Sequence, residues 1–182
     1  MGGCEMSDPN RILSIEDCQR ISSFPMVVFS DNLTSWISTA IKQHQQWSYN
    51  HAMWLIAPGV VASQDALFHR APLSEYLQGA HRLKFWTNPR WTDGDRRRIL
   101  QAIAADLQRP WYRRLYDPVA IVGQALHADW IQLPWVNICS DRASYLAEVD
   151  PEYNLSHPDP ADVNRWLDAR GIYDVYGRFI PD

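Results

Sequence analysis

Two residues of this sequence, Cys139 and His51, have the types and local settings that nucleophilic catalysis requires. Cys139 stands at the predicted start of a helix, where unpaired backbone N–H groups and the positive end of the helix dipole favour thiolate over thiol. His51 opens a predicted strand directly after the polar residues 48–50, so its imidazole can face a site from a rigid element. Each residue also has an ordinary structural interpretation, because free cysteine is often buried and a histidine at a strand edge is often a surface residue.

A third polar group could hold the imidazole in its productive tautomer. The strand predicted to pair with that of His51 contains Ser63 and Gln64 among apolar residues. Because side chains alternate along a strand, these two face opposite sides of the sheet, and the sequence leaves the register open. We favour Gln64 as the orienting residue and keep Ser63 as the alternate.

Apolar spacing predicts the elements that would position these residues. Period-two and continuous apolar runs indicate strands, and apolar stripes at helical spacing indicate helices. Strands are predicted over residues 26–29, 51–56, 60–64 and 81–86, with residues 30–32 ending the first strand and a turn at residues 58–59 joining the second and third. Helices are predicted over residues 15–21, 33–41, 72–77, 93–107, 119–126 and 162–169, with Thr92 as a cap and Gly171 as a stop. The predicted fold class is α+β, a small antiparallel sheet packed against helices.

The order and spacing of these segments resemble the circularly permuted papain-like hydrolases, the YiiX-like branch of the NlpC superfamily that is related to lecithin-retinol acyltransferase. In that group the histidine strand precedes the cysteine helix, and a polar residue on the next strand completes the triad. The resemblance spans about residues 24–149 and rests on residues 26–29, 49–56, 60–62, 72–77 and 138–140.

The resemblance implies a permuted papain-like fold with the nucleophilic cysteine at a helix N-terminus. It places Cys139 as nucleophile, His51 as general base, and Gln64 or Ser63 as the orienting residue, with Asp65 one step off. It also places Tyr116 and Asp117 on the substrate side, and we add Tyr49, which precedes the histidine strand. The implied activity is that of a cysteine peptidase or amidase, including one directed at cell-wall peptides, or that of a lipid or ester acyltransferase. The chain departs from the pattern after Ser140, where Asp141 and Arg142 replace a glutamate and apolar residues.

Composition excludes several other classes. The chain has 182 residues, enough for one domain, which we place at residues 24–182 after an N-terminal lead-in of residues 1–23. A formal net charge of −4 argues against a nucleic-acid partner. No apolar run is long enough to span a membrane, and no signal peptide is recognisable, so we expect a cytoplasmic protein or one delivered without a signal peptide. The 3 cysteines and 6 histidines are scattered, so we predict no metal site and no cofactor.

Two alternatives to a thiol hydrolase remain. A chymotrypsin-like cysteine protease also places histidine before cysteine, but it needs many short strands and a glycine after the nucleophile. A noncatalytic binding protein would use exposed aromatic residues for a glycan or protein partner. The tryptophans available for this are Trp47, Trp86, Trp91, Trp111, Trp130 and Trp135. An accessible thiol of low pKa at Cys139 would favour the enzyme, and an inert, buried Cys139 would favour the binding protein.

Overall fold

A six-stranded antiparallel sheet organises the computed structural model, which describes residues 11–32, 48–78, 81–115, 139–156 and 158–181. The strands are β1 (Met26–Asn32), β2 (His51–Ala57), β3 (Val60–Gln64), β4 (Phe68–Pro72), β5 (His81–Thr87) and β6 (Asp174–Phe179), in the spatial order β4-β3-β2-β1-β5-β6. Gly59, at φ 66°, allows the tight turn between β2 and β3. The strands predicted on either side of this turn are confirmed.

Within the described residues, four α-helices and two 3₁₀ helices accompany the sheet. They are α1 (Ile15–Arg20), α2 (Ser74–Leu77), α3 (Asp93–Leu107), α4 (Pro160–Arg170), a short 3₁₀ helix (Trp111–Arg113) and a longer 3₁₀ helix (Cys139–Glu148), here named the cysteine helix. Helix α3 begins as predicted, because Thr92 and Asp95 exchange bonds with each other's backbone N–H groups. Helix α4 begins two residues earlier than predicted, since Asp159 rather than a later residue caps it, and it ends as predicted at Gly171. The architecture is therefore α+β, as the sequence predicts.

Helices cover both faces of the sheet. On one face, Ala52, Trp54 and Ala62 pack against α3, α4 and the cysteine helix, so we name this the cysteine-helix face. On the other, Met53 and Val61 pack with residues from α1 and α2, so we name this the α1 face. Side chains of one strand therefore contribute alternately to two apolar cores. No helix among the described residues is both long and apolar enough to cross a lipid bilayer.

The structure corrects the predicted end of the first strand. Residues 30–32 carry turn and capping chemistry, yet all three remain in β1. Ser30 pairs with His51 on β2, and buried Asp31 forms an ion pair with Arg82 on β5. Polar residues can continue a strand when a neighbouring strand supplies their partners. The helices predicted for residues 33–41 and 119–126 lie outside the described residues.

Two strands, β4 and β6, were not predicted from the sequence. Strand β6 does alternate partly buried and buried residues, but Gly177 interrupts its apolar pattern. The structure explains why glycine stands here, because a Cβ atom at this position would lie only 2.9 Å from Cγ of Leu13 in the N-terminal segment. Leu13 is buried and its backbone N–H bonds the carbonyl of Arg178. The lead-in segment thus packs closely on the sheet at Gly177.

We expect Gly177→Ala to lower the free energy of unfolding by about 1–3 kcal/mol, because the added methyl group overpacks the contact with Leu13. Urea denaturation measures the change. Gly94→Ala is the matched control: its Cβ atom would lie 3.4 Å from Oγ1 of Thr92, an ordinary contact, inside helix α3. That substitution should leave stability equal or raise it by about 0.5–1 kcal/mol. Equal losses for the two variants would contradict the close packing.

Candidate functional site

His51 lies at the start of β2, where its imidazole is held by two residues that follow β2 in the chain. Nε2 of His51 lies 2.8 Å from Oγ of Ser63 and 3.4 Å from Oδ1 of Asp65. Ser63 is buried in β3 beside Met53, which shares the α1 face with His51. The residue that contacts the ring is therefore Ser63, the alternate, and not Gln64.

The hydrogen bonds around Asp65 indicate which tautomer His51 adopts. An ionised carboxylate only accepts hydrogen bonds. Ser63 donates to Oδ1 of Asp65 at 3.2 Å, and Tyr76 donates to Oδ2 at 2.8 Å. Nε2 of His51 also lies 3.4 Å from Oδ1 of this carboxylate, which favours the tautomer with its hydrogen on Nε2, the donor in the bond to Ser63. Nδ1 of His51 then carries the lone pair and is the nitrogen able to accept a proton.

Gln64 has a different set of contacts because strand alternation turns it to the cysteine-helix face. Its Oε1 accepts a bond from Nε of Arg142 at 2.9 Å, and its Nε2 donates to the carbonyl of Arg114 at 2.8 Å. Arg142 belongs to the cysteine helix and pairs with Asp106 of α3. Gln64 therefore ties β3 to the cysteine helix instead of orienting His51, which corrects the sequence preference.

Cys139 opens the described part of the cysteine helix, which packs against β2. The backbone N–H groups of Ala52, the residue after His51, and of Ser140 lie against the Cys139 sulfur, and both lower the pKa of the thiol. Both contacts favour the thiolate, yet Cys139 is only 3% exposed. Burial is the larger effect and raises the pKa of Cys139 to about 12, so the low pKa expected at a helix start is not found.

Among the described residues, Cys139 has no hydrogen bond to the imidazole of His51, whose ring partners are Ser63 and Asp65. Two features connect Cys139 and His51. Ala52 follows His51 in the chain and its N–H contacts the Cys139 sulfur, and the charge of Asp65 raises the pKa of both side chains. At neutral pH the arrangement is a protonated thiol beside a neutral imidazole, and not a thiolate–imidazolium pair.

Of the remaining predicted residues, only Tyr49 is described. It is partly buried and packs against the apolar core of the cysteine-helix face, and burial raises the pKa of its phenol. Tyr116 and Asp117 lie outside the described residues. The sequence analysis missed Tyr76 and set Asp65 aside as one step off. Asp65 could have been predicted from its position two residues after Ser63, because side chains two residues apart in an extended chain point to the same side.

Two partly buried imidazoles make the stability of this region depend on pH. Burial lowers the pKa of both His51 and His81 below the usual 6.5, although the charge of Asp65 opposes this for each. The unfolded chain binds protons at these histidines more readily than the folded chain does. Their contribution to the free energy of unfolding is therefore fully present above about pH 6.5 and is lost on acidification.

We expect the free energy of unfolding to decrease from pH 7 to pH 5, with each histidine contributing a slope of up to about 1.4 kcal/mol per pH unit. Urea denaturation at several pH values measures the slope. His51→Gln and His81→Gln should each flatten it, and the double variant should flatten it further. Measurements at pH 8 give the pH-independent cost of each substitution. Slopes that match the parent protein's would contradict the lowered pKa values.

No group of histidine, cysteine, aspartate and glutamate side chains in the described part of the chain is arranged to hold a metal ion. Comparison with known proteins adds nothing to the site: no protein-family model matches this chain, and no curated protein is significantly similar to it.

Proposed function

We propose that this protein is a cysteine hydrolase or acyltransferase of the permuted papain-like type, with Cys139 as nucleophile and His51 as general base. The observation that carries the proposal is the contact of the Cys139 sulfur with the backbone N–H of Ala52, because Ala52 follows His51 in the histidine strand. The histidine itself is oriented by Ser63 and Asp65 through Nε2, which leaves Nδ1 available for the thiol proton.

The reaction is acyl transfer from an amide or ester. Nδ1 of His51 takes the thiol proton as the Cys139 sulfur bonds to the substrate carbonyl carbon. The backbone N–H of Cys139 supplies part of the oxyanion hole. Collapse of the tetrahedral intermediate breaks the C–N or C–O bond, and the leaving group takes the proton from His51. Water, or another hydroxyl or amine acceptor, then gives a proton to His51 and attacks the thioester, which releases the acyl group and restores the thiol.

This chemistry requires Nδ1 of His51 to approach the Cys139 sulfur more closely than it does in the structure, as catalytic hydrogen bonds often tighten only when substrate binds. The raised pKa of Cys139 means that thiolate forms only when a base takes the proton during attack. Activity should therefore depend strongly on His51.

Acylation by a small activated ester, such as p-nitrophenyl butyrate, tests the proposed function. Acid quenching followed by intact-mass and peptide mass spectrometry should show one butyryl group, located on Cys139. His51→Ala should reduce the rate of its formation by about a hundredfold or more. Acylation of Cys18 or of lysine side chains at the same rate as Cys139 would contradict the proposal.

Ser63→Ala and Gln64→Ala should differ in their effects. Ser63→Ala removes the 2.8 Å bond to Nε2 of His51 and should slow acylation of Cys139 by about tenfold. Gln64→Ala leaves His51 untouched and should instead destabilise the fold, because it removes a buried partner of Arg142. Acylation kinetics and urea denaturation of both variants separate the two effects. The reverse pattern would return the orienting role to Gln64.

A noncatalytic binding protein is the second candidate, and the burial of Cys139 favours it. In that case the raised pKa describes a core cysteine, and neither ester nor amide substrates should acylate it. Trp111, the exposed one of the described tryptophans, and its neighbour Tyr112 would then be the first residues to replace in a search for partners.

A further inference from the structure

A groove on the cysteine-helix face runs between helix α3 and strands β2, β3 and β4. One part of it has a volume of about 300 Å³ and is lined mainly by aliphatic side chains: Ile56, Val60, Leu100, Ile103, Ala104 and Leu107. The four residues from α3 fall at helical spacing and form one stripe along the groove. A cavity of this size, lined in this way, suits a single alkyl chain.

The groove continues into a second cavity of about 320 Å³ that is cationic. Arg70 lines both cavities, and Arg114 and His69 line the second. No aspartate or glutamate lines either cavity. The groove therefore changes from aliphatic at the β2–β3 turn to positively charged at the other end, which matches a ligand with an apolar tail and an anionic head.

The arginines have unused hydrogen-bonding capacity. Nη1 of Arg114 donates to the carbonyl of Phe68, while Nε of Arg114 is buried and has no partner. Arg70 is exposed and forms no ion pair within the described ranges. The nearest helix carboxylate, Asp106, is already bonded to Arg109 and Arg142. The exposed guanidinium of Arg70 is therefore the donor open to an anionic group, with Arg114 beside it in the lining of the second cavity.

We propose that this groove binds a fatty acid, with its alkyl chain along the α3 stripe and its carboxylate at Arg70 and Arg114. A planar guanidinium matches a carboxylate through two parallel hydrogen bonds. The aliphatic side chains that line the groove offer no hydrogen-bonding partners to an extended peptide, so they favour an alkyl chain as the ligand. This site is separate from Cys139 and His51, and the proposal does not depend on the function proposed for them.

Isothermal titration calorimetry with dodecanoate, below the concentration at which it forms micelles, tests the proposal. We expect one site per chain. Ala104→Phe fills the groove and should weaken binding at least tenfold, whereas Ala105→Phe, at an exposed neighbouring position on α3, should leave it unchanged. Arg70→Gln should weaken binding about tenfold. Thermal melting verifies that each variant is folded.

Two further ligands test the chemistry of the head group. Dodecyltrimethylammonium has the same chain length with a cationic head, and it should bind far more weakly than dodecanoate. Equal binding, no binding of dodecanoate, or binding unaffected by Ala104→Phe would overturn the proposal. Dodecyl phosphate distinguishes a carboxylate from a phosphate ligand: tighter binding of the phosphate would overturn the assignment of a fatty acid.

Discussion

Replacing Cys139 with alanine should lower the rate of ester or amide turnover by about a thousandfold or more, because it removes the thiol that forms the thioester intermediate in the proposed mechanism. The thiol lies in contact with the N–H of Ala52 at the start of the histidine strand, and that contact has no counterpart at Cys18. Steady-state hydrolysis of p-nitrophenyl butyrate, corrected for the uncatalysed reaction, measures the loss.

Cys18→Ala provides the matched control. Cys18 is also buried, and burial likewise raises its pKa to about 12, but it packs on the α1 face among residues of the second core. Its replacement should reduce stability while leaving turnover per folded molecule unchanged. Turnover that survives Cys139→Ala, or that falls equally in both variants, would show that Cys139 is a core residue and not a nucleophile.

Asp106→Ala should destabilise the protein by about 3–5 kcal/mol, because it leaves the buried guanidinium of Arg142 without its charge partner. Nη1 of Arg142 lies 2.6 Å from Oδ2 of Asp106, and the hydroxyl of Tyr145 donates to the same oxygen. The side chains of Arg142 and Asp106 are only 5% and 11% exposed. Since Arg142 also bonds Gln64, the pair fixes the cysteine helix on the sheet and thereby the position of Cys139.

Chemical denaturation at neutral pH measures this cost, and two further variants identify its source. Arg109 also pairs with Asp106, at 2.7 Å, but its side chain is 53% exposed. Arg109→Ala should therefore cost less than about 1 kcal/mol. The double substitution Asp106→Leu with Arg142→Met removes both buried charges and should recover much of the loss. A small effect of Asp106→Ala, similar to that of Arg109→Ala, would contradict the anchoring of the cysteine helix.

Local patterns in the sequence were sufficient to predict the elements that position the site residues. The β2–β3 hairpin follows from two apolar runs around Gly59, and helix α3 follows from its capping residues and apolar stripe. A helix following Cys139 was also predicted. These features depend on residues close together in the chain, so a single sequence contains the information for them.

The site itself could not be predicted fully, because its decisive features are long-range. Whether Ser63 or Gln64 faces His51 depends on which side of β3 packs on which core, and alternation alone does not decide this. Tyr76 reaches Asp65 from a separate helix, and no spacing in the sequence indicates that contact. The raised pKa of Cys139 arises from burial by distant elements, which outweighs the local effect of the helix start.

The most direct test of the Cys139–His51 pair compares two cysteines within one protein. Burial raises the pKa of Cys139 and of Cys18 alike, to about 12, so burial alone predicts that iodoacetamide alkylates both slowly. If His51 acts as a base for Cys139, the native protein should be alkylated faster at Cys139 than at Cys18 near neutral pH, as measured for each site by peptide mass spectrometry. His51→Ala should remove this difference. Equal rates at the two cysteines in the parent protein, or a faster rate at Cys139 that persists in His51→Ala, would contradict the proposed pair.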